Sequence, residues 1–80
     1  MTITPEQSKA ARSLLGWNQK TLAQEASVGL STIADFEGKK RIPIKNNLEA
    51  IRIAFEKHYI EFIEDTGVNL RNTDAHKKNV

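Results

Sequence analysis

Cysteine is absent from the 80 residues, which excludes disulfides and thiolate-ligated zinc and leaves a reducing compartment compatible. No apolar run approaches the length that spans a bilayer, and the opening MTITPEQSKAAR has no apolar core of the signal-peptide kind. A cytoplasmic chain without membrane contact is therefore expected. No internal repeat, low-complexity tract or linker divides the sequence, so it reads as one domain. Its length is near the lower limit for a single hydrophobic core without metal or disulfide help, which makes self-association attractive.

The equipment of catalysis is missing as well. No nucleophile with a base, no metal-ligand cluster and no phosphate loop can be picked out. His58 and His76 are far apart in sequence and lack ligand spacing, so both read as ordinary titratable surface groups. Glu64 and Asp65 adjoin in a turn-like stretch, where paired acids are common, and Gly16, Gly29, Gly38 and Gly67 read as caps and turns. An enzyme is not expected, and neither is a metal or a cofactor.

Charge is present but unevenly placed. The net value is +2; residues 1–58 hold nine Lys/Arg against six Asp/Glu, and residues 59–80 hold three against four. The positive excess therefore belongs to the first part. Within it, Gln19 to Glu37, QKTLAQEASVGLSTIADFE, reads as two short helices around a tight turn. Asn18 is a good N-cap, and Leu22, Ala23 and Ala26 recur on an inward face. Val28 sits in the turn. Gly29 caps a second helix, Leu30 to Glu37, in which Ile33 and Phe36 fall three apart and share one side. Leu30, Ser31, Thr32 and Asp35 point elsewhere. A helix that buries so little and keeps small or polar residues on its free face is shaped to enter a groove of duplex DNA rather than a core.

The order Trp17-Asn18-Gln19, Leu22-Ala23, Ala26, Val28, Ser31-Thr32-Ile33, Phe36-Glu37, a basic run, Pro43, then Leu48 and Ile51 resembles the Cro and phage-repressor type of helix-turn-helix regulators, the XRE family, over about two thirds of the chain. The resemblance implies a mainly α, compact, lambda-repressor-like helix-turn-helix domain of four to five helices. With the rest of the sequence it gives a DNA-binding domain over 1–58, a C-terminal β-hairpin or dimerisation segment over 59–72, and a flexible tail over 73–80. It implies a nucleoid-associated, sequence-specific transcriptional regulator that binds double-stranded DNA. The form expected is a repressor acting as a homodimer on a near-palindrome with half-sites about 34 Å apart. The alternative from another class is an antitoxin whose C-terminal segment grips a toxin protein while it autoregulates its operon.

Departures from the family pattern are local. Ser27 occupies the place of a turn glycine, so the backbone there either avoids positive φ or accepts a cost of roughly 1 kcal/mol. Gly29 replaces a polar N-cap, Leu30 replaces a polar base-reading residue, and Gly38-Lys39 reverses the usual order of basic residue and glycine.

By resemblance, Gln19 is a phosphate clamp that also braces the start of the reading helix. Ser31 donates to or accepts from either base edge, and Leu30 meets a thymine methyl. Asp35 either accepts from a cytosine amino group or serves as a solvated, helix-bracing residue. Thr32 is expected at backbone phosphate. Lys39, Lys40 and Arg41, joined by Lys45, would neutralise phosphates and so set affinity and its salt dependence without choosing sequence. Arg12 is expected to form a bidentate pair with Glu37, fixing the first helix against the end of the reading helix.

The remaining elements follow from spacing. Thr4-Pro5-Glu6-Gln7 opens a first helix with a capping box and a proline at its first position, Ala10, Ala11, Leu14 and Leu15 face inward, and Gly16 stops it. Trp17 packs under the next helix. Ile42 and Ile44 flank Pro43 and are expected on the core, ahead of a helix from Lys45 to Lys57 with Leu48, Ile51, Ala54 and Phe55 inward. Asn46 or Asn47 is its alternative start, and Ile53 lies off the stripe. From Tyr59 the pattern suggests a β-hairpin, with Tyr59 to Ile63 continuing the helix as the competing reading. An isolated hairpin is marginal in water, so its strands need either their own helices or another copy to lie on.

Overall fold

The first helix is set by a reciprocal pair of hydrogen bonds. In a computed structural model of the protein, which describes residues 2–64 and 67–70, Thr4 Oγ1 accepts from the Gln7 backbone N–H at 3.1 Å, and Gln7 Oε1 accepts from the Thr4 N–H at 3.0 Å. With proline at its first position, this capping box starts α1, Pro5–Leu15, and Gly16 ends it at φ 70°. Asn18 Oδ1 accepts from the Thr21 N–H at 2.7 Å and starts α2, Gln19–Ala26. A three-residue turn leads to α3, Leu30–Glu37, and a loop to α4, Lys45–Glu56. Strands β1, Ile60–Ile63, and β2, Gly67–Leu70, pair antiparallel with Ile60 opposite Leu70 and Ile63 opposite Gly67. The architecture is mainly helical with one small sheet. Among the described residues no helix is long and apolar enough to cross a membrane.

The core lies between α2, α3 and α4. Leu22, Ala23 and Ala26 meet Ile33 and Phe36 of α3 and Ile51, Ala54 and Phe55 of α4, with Ile3, Ala11 and Ile60 closing the cluster. Trp17 packs against this cluster and stacks on Phe55 of α4 at 5.7 Å, with His58 edge-on to it at 4.8 Å. Helix α4 starts at Lys45, with Ile44 as N-cap and no side-chain cap, so neither Asn46 nor Asn47 marks its start.

Two apolar groups are not where spacing put them. Leu14 is 46 % exposed, and α1 turns Gln7, Ser8 and Ala11 inward instead, because both polar side chains find distant partners. Ile42 is 83 % exposed and Ile44 68 %, whereas Pro43 between them is buried. In an extended segment alternate residues point to opposite sides, so an inward Pro43 turns both neighbours out. Ile53 is exposed, as its position off the stripe implies.

The turns accept local strain. Ser27 takes φ 57°, and the N–H groups of Ser27 and Val28 donate back to Gln24 O and Ala23 O at 3.3 and 3.0 Å. The left-handed form costs a non-glycine residue about 1 kcal/mol. Tyr59 does the same at φ 70°, turning the chain out of α4 into β1, so the hairpin forms and the helical continuation does not.

The hairpin lies on the protein's own helices. Phe62 meets Phe55 edge-on at 5.9 Å, and Ile60 is fully enclosed. Gln7 Nε2 donates to Ile63 O at 2.6 Å and to Gly67 O at 2.9 Å, so one amide joins the N-terminal cap to the hairpin. A Cβ at Gly67 would lie 2.7 Å from Ile63 Cβ, which reserves that site for glycine. Asp65, His76, the end of the 59–72 segment beyond Leu70 and the tail over 73–80 lie outside the described residues.

Gln7→Ala removes both bonds to the hairpin and the cap's return bond. It is expected to lower stability by about 1–3 kcal/mol, read as a lower urea midpoint at unchanged slope.

Candidate nucleic-acid interface

Glu37, the last residue of α3, is buried and needs partners for its carboxylate. Arg12 Nε donates to its Oε2 at 2.9 Å and Arg12 Nη2 to its Oε1 at 2.7 Å, the bidentate geometry expected of this pair. Ser8 Oγ donates to Oε2 at 2.6 Å and Gln19 Nε2 to Oε1 at 3.0 Å, giving each oxygen two donors. A further bond from Arg12 Nη1 to Trp17 O at 3.1 Å fixes the guanidinium. Burial by itself would push the Glu37 carboxyl up. Hydrogen bonds from Arg12, Ser8 and Gln19, with the Arg12 charge, outweigh it and hold the group below its ordinary 4.5.

Gln19 thus differs from the expectation. Its amide braces the end of α3, through Glu37, and not the start. Ser8 was not picked out in the sequence, although it stands four residues before Arg12 and so shares that face of α1.

On the other side of α3, Leu30 is 49 % exposed, Ser31 is exposed, and Thr32 and Asp35 are half-buried. Ser31, Thr32, Asp35 and Arg41 line one groove of about 230 Å³, which Asn47 also enters from the first turn of α4. The loop after α3 is folded to place Arg41 there. Gly38 stays right-handed at φ −83°, Lys39 takes φ 62°, and the N–H groups of Lys40 and Arg41 donate to Asp35 O at 2.8 and 3.3 Å.

The other cations go elsewhere. Lys39 Nζ pairs with Glu6 Oε2 at 2.5 Å, and this hydrogen bond draws the Glu6 carboxyl below its ordinary value. Lys39 and Lys40 line a second groove with Arg41, so only Arg41 of the three touches both. Lys45 lines a third, beside Glu49 and Arg52. His58 stands at the surface, its exposed side chain bonded to Glu25 Oε1 at 3.2 Å.

Neither a scan against protein-family models nor a search of curated proteins finds a match to this chain.

Because the folded Glu37 carboxyl titrates below 4.5, its contribution to stability is full above that pH and is lost as pH falls through the lower, folded value. Acid unfolding followed by circular dichroism is expected to steepen in that window. Glu37→Gln, which leaves Arg12 without its charge partner, is expected to be about 3–5 kcal/mol less stable at neutral pH and to lose that part of the pH dependence.

Proposed function

We propose that this protein is a sequence-specific double-stranded DNA-binding regulator with a lambda-repressor-like arrangement of its helices, acting as a dimeric repressor. The observation that carries the reading is the division of α3. Its buried residues are Ile33, Phe36 and Glu37, while Leu30 and Ser31 are exposed and Ser31 and Asp35 share an open groove with Arg41. A short helix anchored on one side and polar on the other, with a cation at its margin, suits entry into a major groove.

In this reading Ser31 and Leu30 meet base edges, Asp35 accepts from a cytosine amino group, and Thr32, Lys40 and Arg41 meet phosphates. Gln19 retains a second amide hydrogen for a phosphate while it bonds to Glu37. Lys39 gives a contact only by leaving Glu6. Lys45 stands outside the groove of Ser31 and Arg41 and acts on a more distant phosphate. Two copies about a two-fold axis read the two halves of a near-palindrome, since one such helix spans few base pairs.

A second reading, an antitoxin that grips a toxin protein through its C-terminal segment, is favoured by the exposed apolar residues Ile63, at 53 %, and Leu70, at 41 %, on the hairpin. A homodimer that shifts a fragment of its own promoter supports the repressor; co-purification with a second polypeptide supports the antitoxin.

Selection of bound duplexes from a random pool, with the mass of the complex, tests specificity, symmetry and stoichiometry together. Arg41→Ala is expected to weaken binding to all sequences alike and to reduce the salt slope by about 1, whereas Ser31→Ala changes base preference at one position. An unchanged affinity and slope for Arg41→Ala removes its phosphate role.

A further inference from the structure

A groove of about 830 Å³, separate from that of Ser31 and Asp35 but sharing Arg41 with it, is bounded by the Lys39–Arg41 loop. That volume is within the range of small-molecule sites. Its lining is apolar at Ile3, Phe36, Leu48 and Ile42, the first two nearly enclosed and the last 83 % exposed. Lys39, Lys40 and Arg41 all contribute to the same groove. Glu6 answers Lys39; among the described residues neither Lys40 nor Arg41 has an acidic side chain bonded to it. The groove therefore joins an apolar trough to two cations that no acidic side chain among the described residues answers.

We propose that this groove binds a small amphiphilic anion, a single carboxylate on an unbranched apolar body, with the body along Phe36, Leu48 and Ile42 and the carboxylate at Lys40 and Arg41. An apolar occupant without charge would leave the two cations unanswered. A second copy related by a two-fold axis would bring like charges face to face, which opposes association through this surface. The Arg41 guanidinium offers a fork that matches a carboxylate.

The site has a regulatory consequence that rests on the proposed DNA-binding function. Lys40 and Arg41 cannot hold the carboxylate and a phosphate together, so ligand and duplex compete. Linkage makes the effect reciprocal, so duplex weakens carboxylate binding as carboxylate weakens duplex binding.

The test titrates the full chain with decanoate, below its micelle concentration, and follows backbone amide shifts. Shifts confined to Ile3, Phe36, Lys40, Arg41, Ile42 and Leu48 are expected, with decylammonium and acetate giving none. Ile42→Asp and Lys40→Glu, both at exposed positions, are expected to keep the wild-type melting temperature and to weaken decanoate binding about tenfold or more, about 1.4 kcal/mol. Equal binding of decylammonium, undiminished binding by both variants, shifts elsewhere, or no shifts at millimolar decanoate would overturn the proposal. Shifts of the same amides on raising protein concentration alone would assign the groove to a second copy and overturn it too. Decanoate binding by a chain that retains no duplex from the random pool would leave the groove's ligand established and remove the DNA-binding reading instead.

Discussion

A carboxylate taken out of water must be answered in full, and the enclosure of Glu37 organises three helices around that requirement. Arg12 and Ser8 come from α1, Gln19 from the first residue of α2, and the acid itself from the end of α3. Each carboxylate oxygen holds two donors, so the group is charged and satisfied at once. Its stabilising value relative to an apolar substitute is small, but removal of Arg12 or of Glu37 alone leaves the other without its counter-charge. What the arrangement secures is position: Ile33 and Phe36 press α3 onto the core, and the ionic contact fixes where along its axis it stops.

Helix α1 consequently has an inward side that is largely polar. Ser8 and Arg12 serve α3, and Gln7, the residue before Ser8, serves the hairpin. The apolar interior comes mainly from α2, α3 and α4, and Trp17 at its margin stacks on the buried Phe55. The sheet, too small to stand alone, is held through Ile60 in the core, through Phe62 on Phe55 and through the forked contact of the Gln7 amide.

What could be read from the sequence was what local chemistry decides. The capping box at Thr4 and Gln7, the Asn18 cap, the Gly16 stop and the pairing of Ile33 with Phe36 depend on residues within a turn of one another, and each stands where spacing placed it. The Arg12 to Glu37 contact came from resemblance, since nothing in composition joins residues 25 apart. Spacing with Ala10, Ala11 and Leu15 points Leu14 inward, while the partner that draws Ser8 inside lies 29 residues away. Ile42 and Ile44 misled by identity, because the inward residue of that loop is the proline between them. Tyr59 left hairpin and helix open because a left-handed aromatic has no signature in sequence. The separation of Lys45 from Ser31 and Arg41 depends on how α4 is set down, which spacing along the chain does not carry.

The two sides of α3 answer to different demands. Among the described residues the side chains of Leu30, Ser31 and Asp35 make no hydrogen bond or ion pair with the rest of the protein, whereas Ile33, Phe36 and Glu37 are wholly committed to it. Mutation along the outer side therefore alters what the rod presents without loosening how it is mounted. The outer surface of α3 and the fold are in this sense inherited separately, and descendants of this chain are free to diversify in the one while conserving the other.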